Sequence, residues 1–211
     1  MTNKIEQFNT IDIYPVISSE YTNGRDPLDI LTAICQGGAK IVQLREKNKS
    51  KLEVFELALK YREITSEYNT LLIINDHIDI ALAVKADGVH LGQDDLPVNI
   101  AKELAPNLII GSSTHNIEEA IIAKEAGADY INIGPIFQTN TKELTYKALD
   151  VEGVLKIAKT VNLPFTVMGG IKKESIPNLI KNNITKIAMI TEITQSEDCK
   201  AKVQELRYLF E

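Results

Sequence analysis

Seven short segments of this chain place polar side chains directly after an apolar run. They are Gln43-Leu44-Arg45-Glu46-Lys47, Asn75-Asp76-His77, Gly92-Gln93-Asp94-Asp95, Ser112-Ser113-Thr114-His115-Asn116, Thr139-Asn140-Thr141-Lys142, Gly169-Gly170 and Thr191. Asp76 and Asp95 are hard oxygen donors. Two such carboxylates suit one Mg2+, which takes few carboxylates, keeps waters and binds substrate phosphates. Arg45, Lys47 and Lys142 supply positive charge for a diphosphate. Gly170 and Ile190-Thr191 suit a second anion site built from backbone N–H groups. Two phosphate-binding regions imply two phosphorylated substrates, or one substrate with a phosphate at each end.

Each segment also has a plain structural reading. The Gln43 to Lys47 run resembles a solvated charged stretch. Asn75-Asp76 and Asp94-Asp95 could cap the helices that follow. His77, His90 and His115 are scattered, and Gly169-Gly170 could be a simple turn. These readings weaken jointly, because seven successive loops would all have to be polar by coincidence. No Ser-His-Asp order, HExxH pair or nucleophile elbow is present. No lysine ends a central strand as a Schiff-base former, so Lys142 reads as an anion-binding group.

The elements that must position these groups alternate. Strands are expected at Asp12–Ser18, Ile41–Leu44, Leu71–Ile74, Gly88–Leu91, Leu108–Ser112, Tyr130–Ile133, Phe165–Met168 and Lys186–Ile190. Helices are expected at Pro27–Gln36, Lys51–Tyr68, Ile78–Val84, Pro97–Leu104, Ile117–Ala126, Val151–Thr160, Glu174–Asn182 and Glu197–Phe210. Leu52, Phe55, Leu59 and Ile64 give the second helix an apolar face. The strands are continuous apolar runs, as in a parallel sheet buried on both faces. Eight strand–helix pairs predict an α/β fold, a single (β/α)8 barrel over residues 1–211, with residues 1–10 a polar N-terminal extension. Its active site would lie at the C-terminal face, where every polar segment falls. The loops after strands seven and eight are the usual phosphate site of such a barrel. An open doubly wound sheet is the competitor, but no glycine-rich phosphate fingerprint follows the first strand.

Composition narrows the partners. The chain has 211 residues, 44% of them hydrophobic, and a formal charge of −6. That acidity argues against nucleic acid or an anionic membrane as general partners. Two cysteines, Cys35 and Cys199, make neither a disulfide framework nor a zinc site. No membrane span or signal-peptide core is visible, so a cytoplasmic location is expected. Homo-oligomerisation stays open.

The motifs resemble those of the thiamine phosphate synthase family. The resemblance rests on QLREK at Gln43 to Lys47, INDHIDIALAVKADGVHLGQDD at Ile74 to Asp95, and GSSTHN at Gly111 to Asn116. GADYINIGPIFQTNTK at Gly127 to Lys142 and GGI at Gly169 to Ile171 complete it. It spans about Tyr14 to Thr194. It implies a transferase on a TIM barrel that condenses 4-amino-2-methyl-5-hydroxymethylpyrimidine diphosphate with 4-methyl-5-(2-hydroxyethyl)thiazole phosphate. The products are thiamine phosphate and diphosphate. Diphosphate leaves first, and the thiazole nitrogen captures the resulting pyrimidine-methyl cation.

Carried over by motif, Gln43, Leu44, Arg45, Glu46, Lys47, Asn75, Ser113 and Lys142 would bind the pyrimidine diphosphate. Arg45, Lys47, Ser113 and Lys142 among them would act in catalysis. Thr139, Asn140, Thr141, Gly170, Ile190 and Thr191 would bind the thiazole phosphate, and Asp76 and Asp95 would bind Mg2+. Three features depart from the family pattern: Ser18-Ser19 replaces Thr-Asp after the first strand, Lys147 to Asp150 lacks a glycine, and Glu192 follows Thr191. The related thiazole tautomerase branch shares the barrel and uses a histidine, for which His115 is available. That branch lacks the diphosphate and metal residues this chain keeps. A non-catalytic sensor of thiamine phosphate would not need the two aspartates.

Overall fold

The computed structural model describes residues 4–138 and 147–211. Thr139, Asn140, Thr141 and Lys142 lie outside the described residues. In chain order the elements are α1 (Lys4–Asn9), β1 (Ile13–Ile17), α2 (Pro27–Gln36), β2 (Ile41–Leu44), α3 (Lys51–Glu67) and β3 (Leu71–Asn75). Then come α4 (Ile78–Ala83), β4 (Gly88–Leu91), α5 (Val98–Leu104), β5 (Ile109–Thr114), α6 (Ile117–Glu125) and β6 (Tyr130–Ile133). The chain ends with α7 (Asp150–Val161), β7 (Phe165–Val167), α8 (Ile176–Lys181), β8 (Ile187–Met189), α9 (Thr191–Thr194) and α10 (Cys199–Arg207). The strands pair in parallel in sequence order, and β8 returns to β1 through Ile13 opposite Ile187, closing the (β/α)8 barrel.

Local chemistry sets the helix starts. The Asp26 carboxylate accepts the Leu28 N–H ahead of Pro27, opening α2. Ser50 and Glu53 form a reciprocal capping box for α3. The Asn116 and Asp198 side chains cap α6 and α10 by accepting the Glu119 and Ala201 N–H groups.

Along each strand, alternate side chains enter two different cores. Phe8, Tyr14, Ile41, Leu71, Ile73, Ile109, Tyr130 and Ala188 pack together inside the barrel. Their neighbours, among them Ile13, Val42, Leu72, Ile74 and Ile110, pack against the surrounding helices. Residues two further along the inward rows are Gln43, Asn75 and Gly111. The barrel interior therefore changes from apolar to polar towards the C-terminal ends of the strands.

The structure corrects the expected pattern in three places. Residues 1–10 are more than a polar extension: they contain α1, whose Phe8 is buried and meets the Tyr130 ring at 4.4 Å between centroids. In α3 the buried face is Val54, Ala58, Tyr61 and Thr65, while Leu52 is 65% exposed. The apolar stripe of that helix is broad, and its spacing alone does not say which edge faces the barrel. Finally, the segment after β8 holds the single-turn α9 before α10 begins.

Candidate active site

A cavity of about 720 Å3 opens at the C-terminal ends of the strands. Gln43, Arg45, Lys47, Asn75, Asp76, Asp95, Ser113, Gly170, Ile190 and Thr191 all line it. Leu44 and Glu46 do not. Leu44 belongs to the core between barrel and helices. The alternation that sends Gln43, Arg45 and Lys47 inward sends these two outward. Glu46 is instead held by Ser19, whose backbone N–H and hydroxyl donate to its Oε1 at 2.9 and 2.6 Å. The serine at the first family departure thus orients the loop after β2.

Asn75 ends β3, and Asp76 follows with φ 62°, in the left-handed region that Asp tolerates better than most side chains. The turn is fixed by the Asp76 N–H, which donates to the His90 carbonyl at 2.8 Å. It sends the Asp76 carboxylate towards Lys47, with which it is ion-paired. Asp95 neighbours Asp76, and its Oδ2 accepts the Gly92 N–H at 2.6 Å. Burial first, and the Asp76 carboxyl second, raise the Asp95 carboxyl above its ordinary value. The buried Asn75 Nδ2 has no hydrogen-bond partner among the described residues. A buried donor left unmade costs about 1–3 kcal/mol, which a bound acceptor would recover.

Beneath this cluster runs a buried polar chain. Gln43 Nε2 donates to the Tyr14 hydroxyl at 2.9 Å, and Tyr14 and Tyr130 hydroxyls lie 3.2 Å apart. The Tyr130 hydroxyl meets His90 Nδ1 at 2.9 Å, and His90 Nε2 meets Ser113 Oγ at 2.9 Å. Burial pushes the His90 imidazole down to about 4, against the pull of Asp95, so it is neutral near pH 7. Burial likewise raises both tyrosine phenols. Sequence reasoning missed Tyr14, His90 and Tyr130. The available signal was a histidine two residues after Gly88 on the inward row of β4.

The other side of the rim is built from backbone. Gly169 and Gly170 have φ 107° and 64°. A Cβ on Gly170 would overlap the Gln138 carbonyl, so only glycine lets the two loops approach. Asp150 occupies the left-handed region at φ 55°. Its Oδ1 accepts the Gly153 N–H at 2.9 Å. Glu192 lines the cavity but is paired with Lys172 at 3.0 Å. His115 also lines the cavity, with its Nδ1 2.7 Å from Glu119 Oε2.

Residues 13–193 match the thiamine monophosphate synthase family. The chain is 43% identical over 197 residues to a thiamine-phosphate synthase of Pelotomaculum thermopropionicum, covering 93% of this chain and 90% of that one. It is 40% identical over 209 residues to the corresponding protein of Dictyoglomus thermophilum, covering 99% and 94%. Among solved structures, the thiamine phosphate pyrophosphorylase of Pyrococcus furiosus superposes with a TM-score of 0.86 at 35% identity, covering 98% of this chain and 96% of that one. A 3-hexulose-6-phosphate synthase shares the fold alone, with a TM-score of 0.68 at 20% identity. By these matches across nearly its whole length, the chain belongs to the thiamine monophosphate synthase family.

Proposed function

We propose that this cavity joins 4-amino-2-methyl-5-hydroxymethylpyrimidine diphosphate to 4-methyl-5-(2-hydroxyethyl)thiazole phosphate, forming thiamine phosphate and releasing diphosphate. Family membership supports the reaction class. The observation that carries the residue assignment is the convergence of Arg45, Lys47, Asn75, Asp76 and Asp95 on one cavity wall.

In this reading the C–O bond to diphosphate breaks first, and both electrons leave with the oxygen. The thiazole nitrogen then donates its lone pair to the pyrimidine-methyl carbon. Neither step needs a nucleophilic side chain. What the chain must supply is charge against the departing diphosphate and shelter for the cation. Arg45 and Lys47 bind the diphosphate oxygens, and Asn75 Nδ2 gains its missing acceptor there. Lys142 would add a further cation. Ser113 would also bind the diphosphate, and Gln43 would hold the pyrimidine end of the same substrate. Gly170, Ile190 and Thr191, with Thr139, Asn140 and Thr141, take the thiazole phosphate.

The donor set fits Mg2+. Two carboxylates facing each other repel, and a divalent cation relieves that repulsion. Among the described residues no group of three or more acidic, histidine or cysteine ligands exists. Two carboxylates suffice for a cation that completes its shell with water and phosphate. Asp76 and Asp95 would hold it, and it would neutralise the leaving diphosphate.

The test is product formation from the two substrates with Mg2+ and with excess EDTA. Thiamine phosphate formed only with metal is the expected result. No product in folded protein under either condition overturns the reading.

A further inference from the structure

The buried chain from Gln43 to Ser113 has a direction. A phenol hydroxyl carries one proton, and a neutral imidazole carries one N–H. Gln43 donates to Tyr14, so the Tyr14 proton must point to the Tyr130 oxygen. The Tyr130 proton then points to His90 Nδ1, which leaves the N–H on Nε2, donating to Ser113 Oγ. The Ser113 hydroxyl proton is thereby left for the cavity, and the Gln43 carbonyl oxygen is left as an acceptor. Reversing one link places two protons, or none, between a pair of buried atoms, which costs the full penalty of an unmade bond. The chain therefore holds or reverses as a unit.

We propose that Tyr130 and His90 are positioning residues that make Ser113 a hydrogen-bond donor, towards a diphosphate oxygen, and leave the Gln43 carbonyl an acceptor for the other end of the same substrate. This rests on the reading that Ser113 and Gln43 bind the pyrimidine diphosphate. Neither positioning residue needs to touch the substrate.

The packing shows why Tyr130 can serve here. Its ring crosses the barrel interior, with Phe8 at 4.4 Å, Tyr14 at 6.5 Å and His90 at 5.6 Å between centroids. Gly111 on β5 makes the room, since a Cβ there would overlap the Tyr130 phenol. Helix α1 thus supports from below a hydroxyl that is linked through His90 to Ser113 above. Because these side chains all project into the barrel, one hydrogen-bonded chain joins β1, β2, β4, β5 and β6.

The experiment has two readouts. The first is 15N NMR of the histidines in the substrate-free protein, with His90 assigned by its loss in His90→Gln. The expected signal is the tautomer with the proton on Nε2. In Tyr130→Phe, Nδ1 loses its donor and the tautomers should mix. The second is steady-state kinetics of Tyr130→Phe. The KM for pyrimidine diphosphate should rise roughly tenfold, the value of one neutral hydrogen bond, while the KM for thiazole phosphate stays put. Should Tyr130→Phe fail to fold, Tyr14→Phe breaks the chain one link further from Ser113. It severs the link through which Gln43 sets the direction, so the His90 tautomers should mix here too and the same KM should rise.

A proton on Nδ1 in the wild type overturns the proposal, as does an equal rise in both KM values. The NMR arm needs no substrate. A wild type with the expected tautomer but no product refutes the proposed reaction and leaves the polarity standing. A wild type that makes product with the opposite tautomer refutes only the polarity.

Discussion

The two ends of the barrel use the same residue types in opposite ways. At the N-terminal end, Asp12, Asp87 and Asp129 each stand one residue before a strand. Each carboxylate accepts a strand N–H: Ile13 at 2.7 Å, Leu72 at 2.9 Å and Ile110 at 2.7 Å. Each also meets a cation: Arg207 at 3.1 Å, Arg62 at 2.7 Å and Lys102 at 2.8 Å. At the C-terminal end, Asp76 and Asp95 follow strands rather than precede them. They face each other, and a buried amide without a partner lies beside them. Charges satisfied by the protein itself tie strands to helices. At the C-terminal end two carboxylates share one lysine, Lys47, beside an unmade hydrogen bond, an arrangement suited to a further cation and its ligand. Position relative to the strand separates these uses, as the barrel geometry requires.

The largest expected effect falls on the C-terminal side. Asp76→Ala should lower kcat roughly a hundredfold or more, because it removes half of the proposed cation site. The melting temperature should move by no more than about 3 °C, since the change also removes the repulsion with Asp95. Turnover at the wild-type rate would sink the metal role and with it the contrast between the two ends.

Asp87→Ala is the mirror experiment. It strands the Leu72 N–H and takes the carboxylate from the Arg62 guanidinium, both groups being held by Oδ2, and it loses Lys4 at 3.2 Å. The expected cost is about 2–3 kcal/mol of stability, with kcat at 25 °C within about twofold of the wild type. Denaturant unfolding and steady-state kinetics on one preparation decide it. A large fall in kcat with unchanged stability would show that the N-terminal aspartates also serve the chemistry.

The same contrast explains what could be read in the sequence. The bounds expected for α2, β2, β4 and β6 coincide with the observed ones, because Pro27, Gly37-Gly38 and the short apolar runs punctuate the chain locally. Helices α1 and α9 were not legible. Each is only one or two turns long, too short for a period to show, and α1 is anchored by Phe8 packing on Tyr130, far away in sequence. The side-chain half of the site was legible from charge after apolar runs. Period-two alternation within Gln43 to Lys47 separates the inward Gln43, Arg45 and Lys47 from the outward Leu44 and Glu46. The buried chain was not legible, because Tyr14 and Tyr130 read as core aromatics until barrel closure brings their hydroxyls together across 116 residues of sequence.

The smallest expected effect concerns Glu192, which interrupts the C-terminal pattern from within. It is an acid beside the proposed thiazole phosphate site, yet Lys172 neutralises it at 3.0 Å. Two outcomes are physically distinct. If the carboxylate mainly repels the phosphate, Glu192→Gln removes one negative charge and frees the Lys172 ammonium. If it mainly holds Lys172 in place for the phosphate, the same change loosens that cation. The Lys172 side chain is 61% exposed and so weakly held, which favours the first account. The KM for thiazole phosphate should therefore fall two- to fivefold, as expected for a partly exposed charge worth about 0.2–1 kcal/mol. The gain should shrink as salt rises, and the KM for pyrimidine diphosphate should not move. A rise in the thiazole phosphate KM would instead make the Lys172–Glu192 pair a built part of the anion site, and the backbone half of the rim would then depend on a charged pair as the side-chain half does.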